Sequence, residues 1–414
     1  MSLLAPSPTI LRSRGAIITA LGLTQIMAWG SSYYLPAVIA PAVSSDTGWP
    51  LAWVVGGLSL GLLTAGLISP RVGSSIERHG GRSVLAFSAA CIGLGQIGLA
   101  LAPNLAAYIA AWLGIGLGMG AGLYDAAFAT LGRHYGHGAR SAITTLTLFG
   151  GFASTICWPI SAWLLGEVGW RGTCLAYAVF QLVIALPLYL VILPREAPQT
   201  AAGPGLPVGP GLNQATPAGE GNPDPSIMIV LAATLTLAAV ISSTLSVHLL
   251  TILQGSGMAL AAAVGLGALV GPSQVAARAI EMTIARYHHP ILTKFASVTF
   301  VAIGVSALWA GMPIIPLALG FYGAGIGLES IARGALPLAL FGSNGYAKLM
   351  GRLAMPSLIA QAAAPSAGAL LLERFGPHGT LAALSGLALA NVILACGLGW
   401  RMLRWRQSQV VQTR

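Results

Sequence analysis

Only 7% of the 414 residues are charged while 56% are apolar, far from the roughly 25% charge of a soluble domain, so the composition excludes a water-soluble fold and reads as an integral membrane protein. The 20 Lys and Arg against 10 Asp and Glu give a net charge of +10, yet the basic residues are scattered between apolar runs rather than gathered on one solvated face, which excludes a nucleic-acid partner. Four cysteines, Cys91, Cys157, Cys174 and Cys396, stand far apart with no CxxC spacing. They form neither a disulfide framework nor a zinc site and read as packing residues.

A membrane helix needs about 20 mainly apolar residues, and twelve runs meet that requirement. The first, 15–39, follows Arg12 and Arg14 and is longer than the apolar region of a secretory signal, so it is read as a retained membrane helix. The first half continues with 51–72, 83–102, 105–131, 141–165 and 172–193. The second half has 227–252, 258–285, 291–311, 314–341, 347–372 and 379–402. Between them, residues 194–226 are too rich in Pro and Gly to pack and read as a flexible linker. The expected domains are therefore a six-helix bundle over 1–193, the linker, and a second bundle with a short basic tail over 227–414.

Cytoplasmic loops collect Lys and Arg. With the N-terminus inside, the inner segments receive Arg78, Arg82, Arg133, Arg140, Arg195, Arg286, Lys294, Lys348, Arg352, Arg401, Arg404 and Arg406, whereas the outer loops receive Arg171 and Arg374. Both termini are thus expected in the cytoplasm. The halves also echo each other: Gly118-x-Gly120-x-Gly122-Leu123 returns as Gly323-x-Gly325-x-Gly327-Leu328 at an offset of 205, and Gly169-x-x-Gly172-Thr173 returns as Gly376-x-x-Gly379-Thr380 at 207. A shared offset argues for tandem duplication.

Between the second and third spans lies Gly73-x-x-x-Glu77-Arg78-x-Gly80-x-Arg82. This spacing resembles the loop signature of the major facilitator superfamily of secondary transporters, and the twelve-span, two-half layout extends the resemblance over essentially the whole chain. The resemblance implies an all-α fold of two pseudo-symmetric six-helix bundles in a bacterial inner membrane, with substrate bound near the midplane between halves that rock to expose it alternately. It also implies that Gly73, Glu77, Arg78, Gly80 and Arg82 latch the halves on the cytoplasmic side; the plainer reading is ordinary loop charge. About 209 residues on, MTIARYHHPI keeps Arg286 but lacks both glycines and the acid, so the second-half latch is degenerate. The fold so implied works as a monomer.

An ionisable group at a helix centre costs about 2.5–3.5 kcal/mol on insertion scales, so each one is a functional candidate. Glu329 lies roughly 22 Å into the tenth span at 1.5 Å per residue, with Arg333 at i+4 on the same face. Glu329 is a candidate proton acceptor, or else half of a static pair with Arg333. Asp125 falls beside Glu329 at offset 205 and is a second proton candidate, or a gate residue paired with Arg133. In the eighth span, Gln274 and Arg278 share a helical face, similar to the Asp-x-x-x-Arg of the monocarboxylate porters of the same superfamily, in which the arginine anchors the anion. Gln274 stands where those porters carry the acid. Arg278 and Arg333 are candidate anion ligands, and Arg278 could instead pair with Glu281.

Gln25, Trp29, Ser31, Ser32, Tyr33 and Tyr34 make the first span unusually polar and aromatic. Because the first span lines the cavity in the implied fold, Gln25, Trp29, Tyr33 and Tyr34 are candidate substrate contacts. His248 is expected to pack by hydrogen bonding. The run of alternate glycines from Gly114 to Gly122 lacks GxGxxG spacing and a preceding strand; Gly114, Gly118 and Gly122 read as one small-residue packing stripe. No Walker A sequence occurs, so no nucleotide is expected, and neither is a metal or other cofactor. The expected function is proton-coupled transport of a small polar or anionic solute. Export of a drug or metalloid is the alternative, while a sensor lacks an output domain and an enzyme lacks a reactive cluster.

Overall fold

The computed structural model describes residues 13–194 and 225–412; Arg12 and residues 195–224 of the expected linker, Arg195 among them, lie outside them. The helices run α1 (Arg14–Ser31), α2 (Pro36–Thr47), α3 (Leu51–His79), α4 (Gly81–Leu101), α5 (Leu105–Gly122), α6 (Tyr124–Tyr135), α7 (Ala139–Gly151), α8 (Ala153–Val179), α9 (Leu186–Ile192), α10 (Pro225–Gly255), α11 (Leu260–Gly267), α12 (Val270–Ile284), α13 (Pro290–Trp309), α14 (Ile315–Phe341) and α15 (Tyr346–Gln412).

Ten stretches of these are long and apolar enough to cross a membrane, and two of the ten, Ala139–Ile192 and Tyr346–Trp405, are 54 and 60 residues long. At about 1.5 Å per residue neither fits straight within a hydrocarbon core about 30 Å thick. Each turns back at a glycine in the left-handed region, Gly169 (φ 69°) and Gly376 (φ 66°), where a Cβ would be strained. Divided there, the stretches become twelve spans.

Helical close approach puts the repeat in a different register from the glycine motif. Gly118 meets Ser88 and Ile92 of α4, and Ser88 Oγ donates to its carbonyl at 2.6 Å; Gly325 meets Ser297 and Val301 of α13, and Ser297 Oγ donates to its carbonyl at 3.0 Å. Likewise Gly116 packs on Gly61 and Thr64 as Gly323 packs on Val270 and Ser273. Gly118 therefore corresponds to Gly325, not Gly323, and the offset is 207, the same as that relating Gly169 to Gly376. Glu329 then corresponds to Gly122, so Asp125 and Glu329 are not counterparts. Of the expected stripe, Gly118 and Gly122 face α4 together, whereas nothing lies within 4 Å of a Cβ built on Gly114; Gly116 and Gly120 make a second stripe against α3.

Four of the described spans are interrupted near their middles: the fifth at Phe152 and the eighth at 268–269 keep right-handed helical geometry there, while the first and fourth break more fully. The first was expected to be one helix over 15–39, but it stops at Ser31 and resumes at Pro36, whose ring cannot supply an N–H to a continuous helix. Gln96 donates to the Ser31 carbonyl and Gln181 to its Oγ at 2.9 Å, which satisfies polar groups that lipid would leave bare. The fourth breaks at Leu123 (φ −74°, ψ −170°), where Gln25 donates to the Gly122 carbonyl at 2.5 Å. Non-helical backbone at membrane depth is tolerated where it is buried in protein or lines a cavity.

The halves are welded at the end that carries Arg133, Arg140 and Arg286, here called the basic end. One core cluster mixes Ile76, Phe128 and Ile143 of the first half with Leu338, Tyr346, Ala347 and Met350 of the second. Clusters nearer the other end are built from one half each, apart from Leu358 and Ala362 packed on the first half.

Candidate functional site

The segment 73–82 is not a loop hinge. Residues Gly73 to His79 complete the last two turns of α3, and only Gly80 (φ 84°, ψ 165°) leaves helical geometry before α4 begins at Gly81. Gly73 lies in the helix interior against Gly351 and the Ala347 carbonyl of α15, and Gly351 in turn meets the Ser69 carbonyl. Two glycines thus let helices of opposite halves touch backbone to backbone. Glu77 Oε2 accepts from the Ala347 amide at 3.2 Å, at the first turn of α15, where an acid complements the helix dipole. Arg133 of α6 donates to the carbonyls of Ile76 (2.7 Å) and Glu77. Arg78 is exposed, and neither it nor Arg82 has a carboxylate within ion-pair distance among the described residues.

The expected pair Glu329–Arg333 does not form. Arg333 instead reaches across to the first half and grips Asp125 with both forks, Nε to Oδ1 at 2.8 Å and Nη2 to Oδ2 at 2.9 Å. Asp125 therefore pairs with Arg333, not Arg133. Glu329 turns to α13, taking Lys294 Nζ at 2.5 Å and Ser297 Oγ at 2.7 Å. The Lys294 side chain is fully buried, which corrects its reading as an inner-loop charge. A long flexible side chain follows the best-placed opposite charge, and a partner on a neighbouring helix outbids one at i+4 when the latter is already held bidentately.

Arg278 is 4% exposed and has no carboxylate partner among the described residues. Its Nε donates to Ser330 Oγ (3.0 Å) and the Gly327 carbonyl (3.3 Å), its Nη2 to Gln274 Oε1 (3.2 Å), and its Nη1 crosses to the Thr147 carbonyl of the first half (3.2 Å). The expected Arg278–Glu281 pair is absent: Glu281 accepts from Thr293 Oγ1 at 2.7 Å and lies 3.4 Å from His288 Nε2. The Thr147 carbonyl also takes the Tyr124 hydroxyl at 3.4 Å, which ties Arg278 to an aromatic wall. Tyr124 stacks on Phe128 with centroids 5.1 Å apart and tilts against Trp29, also at 5.1 Å. Trp29 contacts Tyr33 and Tyr34, and Tyr34 contacts Trp158. The Trp29 indole N–H is buried with no acceptor among the described residues. Tyr33 lies beside Ser243 of the second half. The breaks at 32–35 and Leu123 flank this wall, so four of the expected residues, Trp29, Tyr33, Tyr34 and Arg278, converge with Gln274 where the halves meet.

Gln25 is buried and braces the Leu123 break rather than facing the wall. His248 packs against the Pro365 carbonyl at 2.8 Å, and Cys157 packs on Gly30 and the Ile26 carbonyl. Cys174 is buried, whereas Cys396 is exposed and is not a packing residue. The sequence reading missed Tyr124, Thr147 and Ser330. Only the position of Tyr124, two residues after the glycine run and four before Phe128, could have drawn attention to it. Among the described residues no group of three or more His, Cys, Asp or Glu could hold a metal.

The sequence matches the family model of the Major Facilitator Superfamily over residues 20–286. The chain belongs to this superfamily. No curated protein sequence matches it. Solved structures of the same fold include the human organic anion transporter MFSD10 (TETRAN), with 17% identity and a TM-score of 0.69 over 94% of this chain and all of that one. The proton:xylose symporter XylE bound to 6-bromo-6-deoxy-D-glucose has 12% identity and a TM-score of 0.68 over 92% and 95%. A bacterial homologue of the iron transporter ferroportin, in an outward-facing state, has 15% identity and a TM-score of 0.69 over 92% and 99%. The chain is thus a multi-pass membrane transporter and not an enzyme. At these identities the likeness is one of fold, and the match does not single out the monocarboxylate branch.

Proposed function

We propose that this member of the superfamily is a proton-coupled transporter of a small anionic solute, with Arg278 as the anion ligand and Glu329 as the proton carrier. The observation that carries the reading is the satisfaction of Arg278 by neutral acceptors alone. A buried guanidinium is costly without a counter-charge, and its planar donors suit a carboxylate. The wall of Trp29, Tyr33, Tyr34 and Tyr124 offers apolar faces to the body of such a solute, and the unpartnered Trp29 N–H offers one further donor. Gln274 in place of an acid leaves the anion without a competitor at that position.

In this reading the basic end faces the cytoplasm, as the positive-inside rule requires, with both termini on that side of a bacterial inner membrane. The monomer works as two bundles, 1–193 and 227–414, rocking about a site at their interface, with 194–226 as the tether. The state described is closed on the cytoplasmic side by Gly73–Gly351, Glu77 and the Asp125–Arg333 pair. Glu329 beside Lys294 takes up a proton when Lys294 is drawn away, which requires movement of α13 against α14.

The test is counterflow of labelled monocarboxylates in proteoliposomes followed by pH-gradient-driven accumulation. Glu329→Gln, combined with Lys294→Met so that no buried ammonium is stranded, is expected to retain exchange and lose accumulation; unchanged accumulation would remove Glu329 from the coupling. The aromatic wall also favours a second reading, proton-coupled export of a flat aromatic compound. It predicts that substrate enters from the cytoplasmic side, and proton-driven dye uptake into inverted vesicles separates the two.

A further inference from the structure

At the basic end, away from the central site, a cleft of about 480 Å³ opens between the halves. Arg140 of α7 lines it from the first half; Arg286, Tyr287, His288, His289 and Pro290, together with Ala335, Leu338 and Ala339 of α14, line it from the second. Arg140 donates through Nη1 to the His288 carbonyl at 2.8 Å, so the cleft is closed at its base by a bond between the halves. Its Nε and Nη2 are buried and have no acceptor among the described residues. Buried guanidinium N–H groups left empty are costly, and the natural acceptor is an anion with at least two oxygens.

The nearest carboxylate does not fill that need. Glu281 is within electrostatic range of Arg140, but its oxygens are taken by Thr293 and His288. Arg286 stacks on Tyr287 with its guanidinium carbon 4.7 Å from the ring centroid, which leaves its donors pointing outward. His289 caps α13 by accepting from the Ile291 amide at 3.2 Å, so the positive end of a 20-residue helix also opens on the cleft.

We propose that this cleft binds a phosphate group of net negative charge, carried by an anionic lipid headgroup or by a soluble phosphate monoester and not by a zwitterionic headgroup, and that the bound group clamps the basic side shut. The ligand contacts Arg140 of one half and Arg286 of the other, so it binds the closed state and is lost when the halves part. Ligand binding to one of two states shifts the balance by its differential affinity, and transport slows accordingly. The inference does not rest on the identity of the transported solute.

The test uses the full chain in nanodiscs. In one arm, inorganic phosphate is titrated against chloride at constant ionic strength in phosphatidylcholine discs; in the other, phosphatidylglycerol replaces phosphatidylcholine. A rise in unfolding temperature of several degrees in the first arm identifies a soluble anion, and in the second a headgroup; either supports the site. Arg140→Gln and Arg286→Gln are each expected to raise the half-saturating concentration at least tenfold, while Arg374→Gln, at the opposite end, leaves it unchanged. Arg286 is exposed, so that variant reports binding even if Arg140→Gln folds poorly. No shift in either arm, wild-type binding by Arg286→Gln, or an equal loss in Arg374→Gln would overturn the proposal.

Discussion

Two guanidinium groups reach from the second half to the first, and they are satisfied in opposite ways. Arg333 is held by both oxygens of Asp125, whereas Arg278, on the neighbouring helix, touches only carbonyls, a hydroxyl and an amide. A paired guanidinium resists separation of the halves without needing anything else. An unpaired one gains most from an anion that arrives from outside. In the proposed function the difference makes Arg333 a closure residue and Arg278 the anion ligand, although the two residues look alike in the sequence.

Lys294 provides the sharpest control, being a third buried cation with its own dedicated acid. Lys294→Met should strand Glu329 and lower stability by about 3–5 kcal/mol, seen as a large drop in unfolding temperature, and Lys294→Met with Glu329→Gln should recover most of it. If the single variant were neutral, the pairing argument would fail for Arg333 as well. Arg278→Lys keeps the charge but loses the planar fork, and should cut exchange of a carboxylate by about 100-fold with little change in stability; activity near wild type would erase the contrast between the two arginines. Asp125→Asn removes the charge from one partner of the closure pair and should shift the balance toward opening at the basic end by about 1.5–3 kcal/mol. Distance measurements between spin labels on the two halves read that shift, and Asp125→Arg with Arg333→Asp should reverse it. Gly73→Ala, whose Cβ collides with the Ala347 backbone carbonyl and meets Gly351 Cα at 3.0 Å, should disfavour the closed state by about 1–3 kcal/mol.

Hydropathy carried the spans because the length of an apolar run is set by the bilayer, whatever the neighbours. The breaks at 32–35 and Leu123 were not legible, since Gly, Ser and even Pro are tolerated inside membrane helices when other spans satisfy the backbone; here Gln25, Gln96 and Gln181 do so from a distance. The repeat was visible but off by two positions, because glycines at every second residue match equally well after a shift of two. Only the partners, Ser88 and Ser297, remove that ambiguity. Lys294 passed for loop charge because it lies just after Pro290, at a helix start. The Glu329–Arg333 pair failed for a similar reason: i+4 spacing records what one helix permits and is silent about Lys294 and Asp125 on others.

The neutral surroundings of Arg278 have an electrical consequence. Lys294 cancels Glu329 and Arg333 cancels Asp125, so the interface near Arg278 holds one uncompensated positive charge. With Arg278 as the anion ligand, the empty protein carries that charge when it reorients, at up to about 2.3 kcal/mol per 100 mV if it crosses the whole field, and the protein loaded with a monoanion and with a proton on Glu329 carries one as well, left on Lys294. Membrane potential then acts alike on both steps and cancels over the cycle, so that one-to-one cotransport of proton and monoanion is driven by the pH gradient and the solute gradient alone.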